Sequence, residues 1–279
     1  MSVSEAAPGK INLVLRIGEP GPDGLHPLCS LFARLELADQ VTVEQADRDE
    51  VICPGVEGHN LAARAVSALR EAAGADAVPP LRVTIHKRIP VAAGLAGGSA
   101  DAAATLRAAN TLIGEPLDRD ALLALAPALG SDVPSQVDPG HAVVSGTGER
   151  VRPVDLGPLA LVLVPAGEGL STPAVYRELD RLRAEGDAPE PAGLDPGPLA
   201  RVAGLAPGAL ATRLENDLQV AALSLRPELG HTLDALRAEG ALGALISGSG
   251  PTAFGVWADP EAAEAAAERI PGALATATA

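Results

Sequence analysis

Apolar and polar residues alternate at residues 10–17, KINLVLRI, with Ile11, Leu13, Leu15 and Ile17 on one side and Asn12 and Arg16 on the other. A period of two predicts a half-buried strand, which the glycines and prolines of GEPGPDGLH, 18–26, then end. A second extended stretch, LFARLELADQVTVEQ at 31–45, leads toward Cys53. Helical spacing follows in NLAARAVSALREAAG, 60–74, where Asn60 suits an N-cap and Gly74 a stop. In LRVTIHK, 81–87, alternation returns, with Leu81, Val83 and Ile85 facing one way and Arg82, Thr84 and His86 the other.

Beyond a glycine-rich stretch, Ala102, Leu106, Ala109 and Ile113 form one face of a helix opening at Ser99 that Gly114 can terminate. Another helix is predicted from Asp118 to Gly130, then a hairpin around Gly146 and Gly148. The second half opens on the apolar run LALVLVPA, 159–166, followed by a helix from Thr172 and a proline-rich surface loop, 184–198. Helical patterns occupy 216–225 and 228–239, ALGALISGSGPTAFGVW at 241–257 reads as strand, glycine turn, strand, and a last helix starts at Pro260. Strands mixed with helices in both halves predict an α+β chain without solenoid repeats. A boundary near residue 150 would divide it into domains 1–150 and 151–279.

Composition narrows the class. The chain has 279 residues, enough for two cores, and no apolar run reaches the roughly 18 residues of a membrane span. The opening MSVSEAAPGK lacks the pattern of a secretory signal, so a soluble cytoplasmic protein is expected. A net charge of −15 disfavours nucleic acid and anionic membrane as partners. Cys29 and Cys53 have no metal or disulfide spacing and read as buried thiols, and His59, His86, His141 and His231 read as structural or exposed. Among 21 basic residues only Lys10 and Lys87 are lysine, and Phe32, Tyr176, Phe254 and Trp257 are the whole aromatic set.

The stretch PVAAGLAGGSADAA, 90–103, sets Gly94, Gly97, Gly98 and Ser99 between a strand and a helix. Unpaired N–H groups at a helix N-terminus stabilise an anion, although a packing loop would have the same composition. Neither GxxxxGK[ST] nor GxGxxG is present.

This stretch resembles the phosphate-binding motif of the GHMP kinases, small-molecule kinases such as galactokinase, homoserine kinase and mevalonate kinase. PGKINLVLRI at 8–17, DGLHPL at 23–28, LGSDVP at 129–134 and ISGSGPTAFG at 246–255 are similar, in order, to motifs of the branch that acts on a cytidine-diphosphate-linked methylerythritol. The resemblance implies a two-domain GHMP kinase architecture, with a ribosomal-protein-S5-like N-terminal domain and a ferredoxin-like C-terminal domain. It also implies ATP-dependent phosphorylation of the 2-hydroxyl of that polyol in the non-mevalonate route to isoprenoids. A homoserine- or mevalonate-type kinase and a non-catalytic nucleotide-binding protein are the alternatives.

Roles follow from the same resemblance. Asp132 takes the place of the catalytic base, against its simpler reading as a helix N-cap, and Lys10 that of its electrostatic partner, against a solvated surface lysine. ATP falls to Pro90, Gly94, Leu95, Ala96, Gly97, Gly98, Ser99 and Ala100, with Asn60, Leu61 and Lys87 near adenine. The second substrate falls to Asn12, Leu25, His26, Phe32, Asp132 and Tyr176, with the cytosine edge at His26, and to a second glycine loop at Gly248, Ser249 and Gly250. Leu25 stands where tyrosine is usual, and Ala92, Ala93, Ala96 and Ala100 where glycine or serine is usual. Since alanine tolerates a negative φ only, Gly94, Gly97 and Gly98 are expected to hold the demanding backbone positions. No P-loop-style metal ligand is present, so magnesium is expected to arrive bound to ATP.

Overall fold

The computed structural model describes residues 1–56, 58, 60–167, 169–191 and 193–279, so His59 lies outside the described residues. The chain forms two compact units that interleave in sequence. One comprises Met1–Gly9, Leu37–Val91 and Ala96–Pro139, the other Lys10–Glu36, Ala92–Leu95 and Gly140–Ala279.

Strands β1 (Ser2–Ile17) and β2 (Leu28–Gln45) each contribute residues to both units. The first unit adds β3 (Glu50–Ile52), α1 (Leu61–Ala73), β4 (Leu81–His86), α2 (Gly97–Leu112), α3 (Arg119–Leu129) and α4 (Val133–Val137). Residues 40–45 of β2 pair antiparallel with β4, which pairs parallel with β3. Leu81, Val83 and Ile85 turn inward as their spacing predicts, and meet Val41 and Val43 of β2 and the buried faces of α1 and α2 in one core. Helix α1 starts and stops at the expected residues: the Asn60 side chain accepts from Ala62 N, and Gly74 ends it at φ 96°. Asp118 caps α3 in the same way.

Two expectations change here. Residues 7–15 of β1 are buried without alternation, because both faces of the strand are covered. Helix α2 opens at Gly97, two residues before Ser99, and is buried on more than one face, from Ala100 to Leu106 and from Ala108 to Asn110. Its alanines make this possible, since a methyl side chain lets neighbouring elements approach on several sides at little entropic cost.

The second unit holds β5 (Ala142–Gly146), β6 (Arg150–Pro153), β7 (Ala160–Val164), α5 (Thr172–Glu185), α6 (Gly197–Ala203), α7 (Pro207–Ala211), β8 (Glu215–Asn216), α8 (Gln219–Leu225), α9 (Leu229–Ala238), β9 (Gly243–Ile246), β10 (Ala253–Trp257), α10 (Pro260–Arg269) and β11 (Leu274–Ala277). The expected hairpin is β5–β6, and β5 pairs with residues 28–32 of β2. Strands β11, β7, β10 and β9 form, in that order, an all-antiparallel sheet. Val162, Val164, Ile246 and Trp257 of this sheet share a core with Leu229, Leu233 and Leu236 of α9 and with Ala263, Ala266 and Ile270 of α10. That strand order with two packed helices is the ferredoxin-like arrangement.

Asn216 lies in β8, outside the helix expected to begin there, and α6, α7 and β11 lacked a periodic signal. Cys29 is fully buried, whereas Cys53 is half-buried. His86 and His231 are exposed, and the half-buried His141 accepts from Arg34 N through Nδ1.

Candidate active site

In the second unit, β1 delivers Lys10 and Asn12 to a buried position, 5% and 2% exposed, which removes the surface reading of Lys10. Lys10 Nζ donates to Asn12 Oδ1 at 2.8 Å, and Asn12 Nδ2 donates to Ser30 Oγ at 2.9 Å, whose hydroxyl donates to Val14 O. The same ammonium stands 4.5 Å from the ring centroid of the buried Phe32, a cation–π contact. One of the two lysines and one of the four aromatic residues thus meet here.

The two glycine loops meet in this unit. Ser247 Oγ donates to Gly94 O at 3.1 Å, Thr252 N donates to Ala93 O, and Lys10 N donates to Leu95 O. A Cβ on Gly94 would stand 2.6 Å from Ser247 O and 2.8 Å from Gly250 O, and one on Gly248 would stand 3.3 Å from Asn12 Oδ1 and 3.8 Å from Lys10 Nζ. Glycine therefore fits both positions for space as well as for φ, +76° and +57°. Gly250, also at positive φ, and Ser249 are buried, and Ser249 Oγ bonds Thr172 Oγ1 at 2.9 Å. Asn216, which the sequence did not single out, braces the second loop: its Nδ2 donates to Ile246 O and Gly248 O, both at 2.8 Å. Its signal was faint, a lone Asn before a helical pattern.

The glycine inference needs correction at four residues. Ala92 and Ala96 both adopt left-handed conformations, φ 53° and 56°, although they are not glycine. Gly97 and Gly98 do not have positive φ. Gly97 is constrained by space alone, since a Cβ there would meet Ile89 Cγ2 and Lys87 Nζ at 3.1 Å, whereas at Gly98 the nearest atom is Leu61 Cδ1 at 4.0 Å. Left-handed Ala96 precedes the first residue of α2 and gives it no side-chain cap, so the N–H groups of Gly97, Gly98 and Ser99 are offered by the helix to whatever lies before it. Leu95 and Ala100 are buried, and Pro90 is half-buried at the start of the loop.

Lys87 sits in the first unit between two carboxylates. Its Nζ donates to Asp39 Oδ2 and, at 2.9 Å, to Asp101 Oδ2. Burial alone would lower the lysine, but the bonds and charges of Asp101 and Asp39 outweigh it and raise its pKa. Burial pushes Asp101 up to about 6 in spite of Lys87. Asn60 and Leu61, also expected near adenine, begin α1, with Asn60 acting as the cap. Asp132 belongs to this unit too, at the start of α4. Its carbonyl accepts from Ser135 Oγ at 2.8 Å, and its side chain makes no capping bond, so the simpler cap reading is not what the structure shows.

The expected base-binding residues lie in the second unit. The ring of His26 packs 5.0 Å from that of Tyr176, and its Nε2 bonds Asp180 Oδ1 at 2.8 Å. That leaves its side chain 7% exposed, while Leu25 beside it is 55% exposed.

The family model for the GHMP kinases N terminal domain matches residues 60–141, and that for GHMP kinases C terminal matches residues 203–276. Those two domains are those of an ATP-using phosphotransferase. The chain is 44% identical to the 4-diphosphocytidyl-2-C-methyl-D-erythritol kinase of Streptomyces avermitilis, over 97% of this chain and 93% of that one. It is 46% identical to the protein of the same name from Streptomyces coelicolor, over 90% and 86%. A crystal structure of 4-(cytidine 5'-diphospho)-2C-methyl-D-erythritol kinase superposes with a TM-score of 0.81 at 37% identity, covering 99% of both chains. The mevalonate kinase of L. major, at 15% identity and a TM-score of 0.71, shares the fold alone. The chain belongs to the GHMP kinase family, in its 4-diphosphocytidyl-2-C-methyl-D-erythritol kinase branch.

Proposed function

We propose that this protein transfers the γ-phosphoryl group of ATP to the 2-hydroxyl of 4-diphosphocytidyl-2-C-methyl-D-erythritol, giving the 2-phosphate and ADP, in the non-mevalonate route to isoprenoids. One observation carries the reading: the glycine loops pack backbone to backbone beside a buried lysine. The loop of Pro90 to Ala100 offers the N–H groups of Gly97, Gly98 and Ser99 to the triphosphate. Asp132 takes the proton of the 2-hydroxyl as that oxygen attacks the γ-phosphorus in line. Lys10 stabilises the charge that develops on the attacking oxygen, held in place by Asn12 and Phe32.

The loop of Gly248, Ser249 and Gly250 faces the substrate diphosphate, and His26, Leu25 and Tyr176 face cytosine. Asn60, Leu61 and Lys87 serve the adenine end. Magnesium supplies neutralising charge when it arrives on the ATP phosphates. Asp39 and Asp101 fit that route, since both already hold the Lys87 that lies beside Gly97. Sequence domains 1–150 and 151–279 and a cytoplasmic location complete the reading.

The test is Asp132→Asn. ADP formation should fall by about three orders of magnitude or more while ATP binding stays near wild type. Equal loss of both would mean a structural role for Asp132. CDP should inhibit in competition with the acceptor, and indifference to CDP would point to an acceptor without cytidine.

A further inference from the structure

Asp39 is 1% exposed in β2, and neither its neighbours in sequence nor the roles above call for a carboxylate there. Its Oδ1 accepts from two successive backbone N–H groups, Arg88 at 2.5 Å and Ile89 at 2.8 Å, and its Oδ2 accepts from Lys87 Nζ. The same ammonium reaches across to Asp101 Oδ2 in the second turn of α2 and lies against Gly97, where a Cβ would stand 3.1 Å away. Three side chains thus fasten the exit of β4 to the start of the helix whose N-terminus ends the glycine loop.

An ammonium at the positive end of a helix dipole is unfavourable on its own, and burying three ionised groups costs desolvation. A well-packed apolar trio would serve stability as well. What the ionic trio adds is fixed geometry, because each bond is directional and Asp39 holds backbone and lysine together. We infer that Asp39, acting through Lys87 and Asp101, is a positioning residue that sets the approach of the glycine loop to the nucleotide phosphates. This rests on the reading of that loop as the ATP site.

The experiment is steady-state kinetics of Asp39→Asn in the full chain, with ATP affinity measured separately by calorimetry. Asparagine keeps an Oδ1 acceptor for Arg88 and Ile89 but puts an NH2 donor where the charged Oδ2 accepts from Lys87, so both the charge and the bond that hold the lysine are lost. KM for ATP should rise about tenfold or more, with kcat and the acceptor KM shifting less than about threefold. Because Asp39 acts through Lys87, adding Asp39→Asn to Lys87→Met should raise KM for ATP by less than about twofold further. An ATP KM within about twofold of wild type in folded Asp39→Asn, or equal rises for both substrates, overturns the inference.

If Asp39→Asn does not fold, Asp101→Asn takes its place. It should raise KM for ATP about threefold or more and speed amide exchange at residues 88–98 but not in α3, and no change in either overturns the inference. Wild-type protein that binds no ATP in the calorimeter would remove the reading of the loop itself. Normal wild-type binding with an unaltered variant removes only the strut.

Discussion

Gly94 is glycine for two independent reasons, a φ of +76° and the carbonyl oxygens of Ser247 and Gly250 that a Cβ would strike. Gly94→Ala should therefore cost about 3 kcal/mol or more, seen as a lowered urea midpoint, and should abolish turnover. Gly98→Ala, with its nearest neighbour 4.0 Å away, should leave the urea midpoint close to wild type. Ala92 and Ala96 run the other way: glycine at either would relieve left-handed strain, for a net gain of about 0.5–1 kcal/mol after the extra entropy of the unfolded chain. A loss of stability in both would mean that the loop conformation is misassigned.

Asp101 carries a pH signature. It faces Lys87 and Asp39, with the Cys53 thiol close enough to feel its charge. Its folded-state pKa, about 6, lies above the ordinary value, so the native protein binds the extra proton and stability falls as pH rises from about 4 to about 6. Asp101→Asn is neutral throughout and should gain on wild type across that window in denaturant midpoints. A difference that stays flat with pH would contradict the assignment. Residues such as Asn60, Gly94 and Lys10 were legible because local pattern or scarcity marked them. Asp39 was not, because its partner is 48 positions away and a carboxylate between Ala38 and Gln40 looks like any exposed strand position.

At the scale of elements, Arg107 ties helices to a strand. From α2 it donates to Gln136 O of α4 at 2.6 Å, to Ala6 O of β1 at 2.8 Å and to Glu5 at 3.2 Å. Arg107→Ala would leave two carbonyls without that donor and loosen α4, whose first turn follows Asp132. A loss of about 2–3 kcal/mol in unfolding free energy is expected, with kcat falling more than the ATP affinity. Equal effects on both would assign Arg107 to general packing. Capped helices were readable, because Asn60, Asp118 and Pro260 mark their starts in the sequence. The full burial of α2 was not, since an alanine-rich helix shows no contrast between faces, and the alternation at 10–17 announced the strand β1 but not that residues 7–15 are buried on both sides. Short elements such as α6, α7 and β11 are fixed by what they pack against, not by their own period.

At the scale of the whole molecule, the chain's two compact units interleave, and Lys10 and Asp132 fall in different ones. Spatial units of this kind cannot be read from composition, which changes along the sequence and not across a sheet. Ordered motifs conveyed the family instead, and a net charge of −15 is compatible with anionic substrates only where local donors such as the N–H groups of α2 and the Lys10 ammonium outweigh it. The central claim concerns the acceptor. The most direct measurement is ADP release by the purified full chain with ATP and magnesium, against a panel of 4-diphosphocytidyl-2-C-methyl-D-erythritol, homoserine and mevalonate. The account predicts ADP with the cytidine-linked alcohol alone, in step with formation of its 2-phosphate. Turnover with homoserine or mevalonate, or no ADP with any of the three, would contradict it.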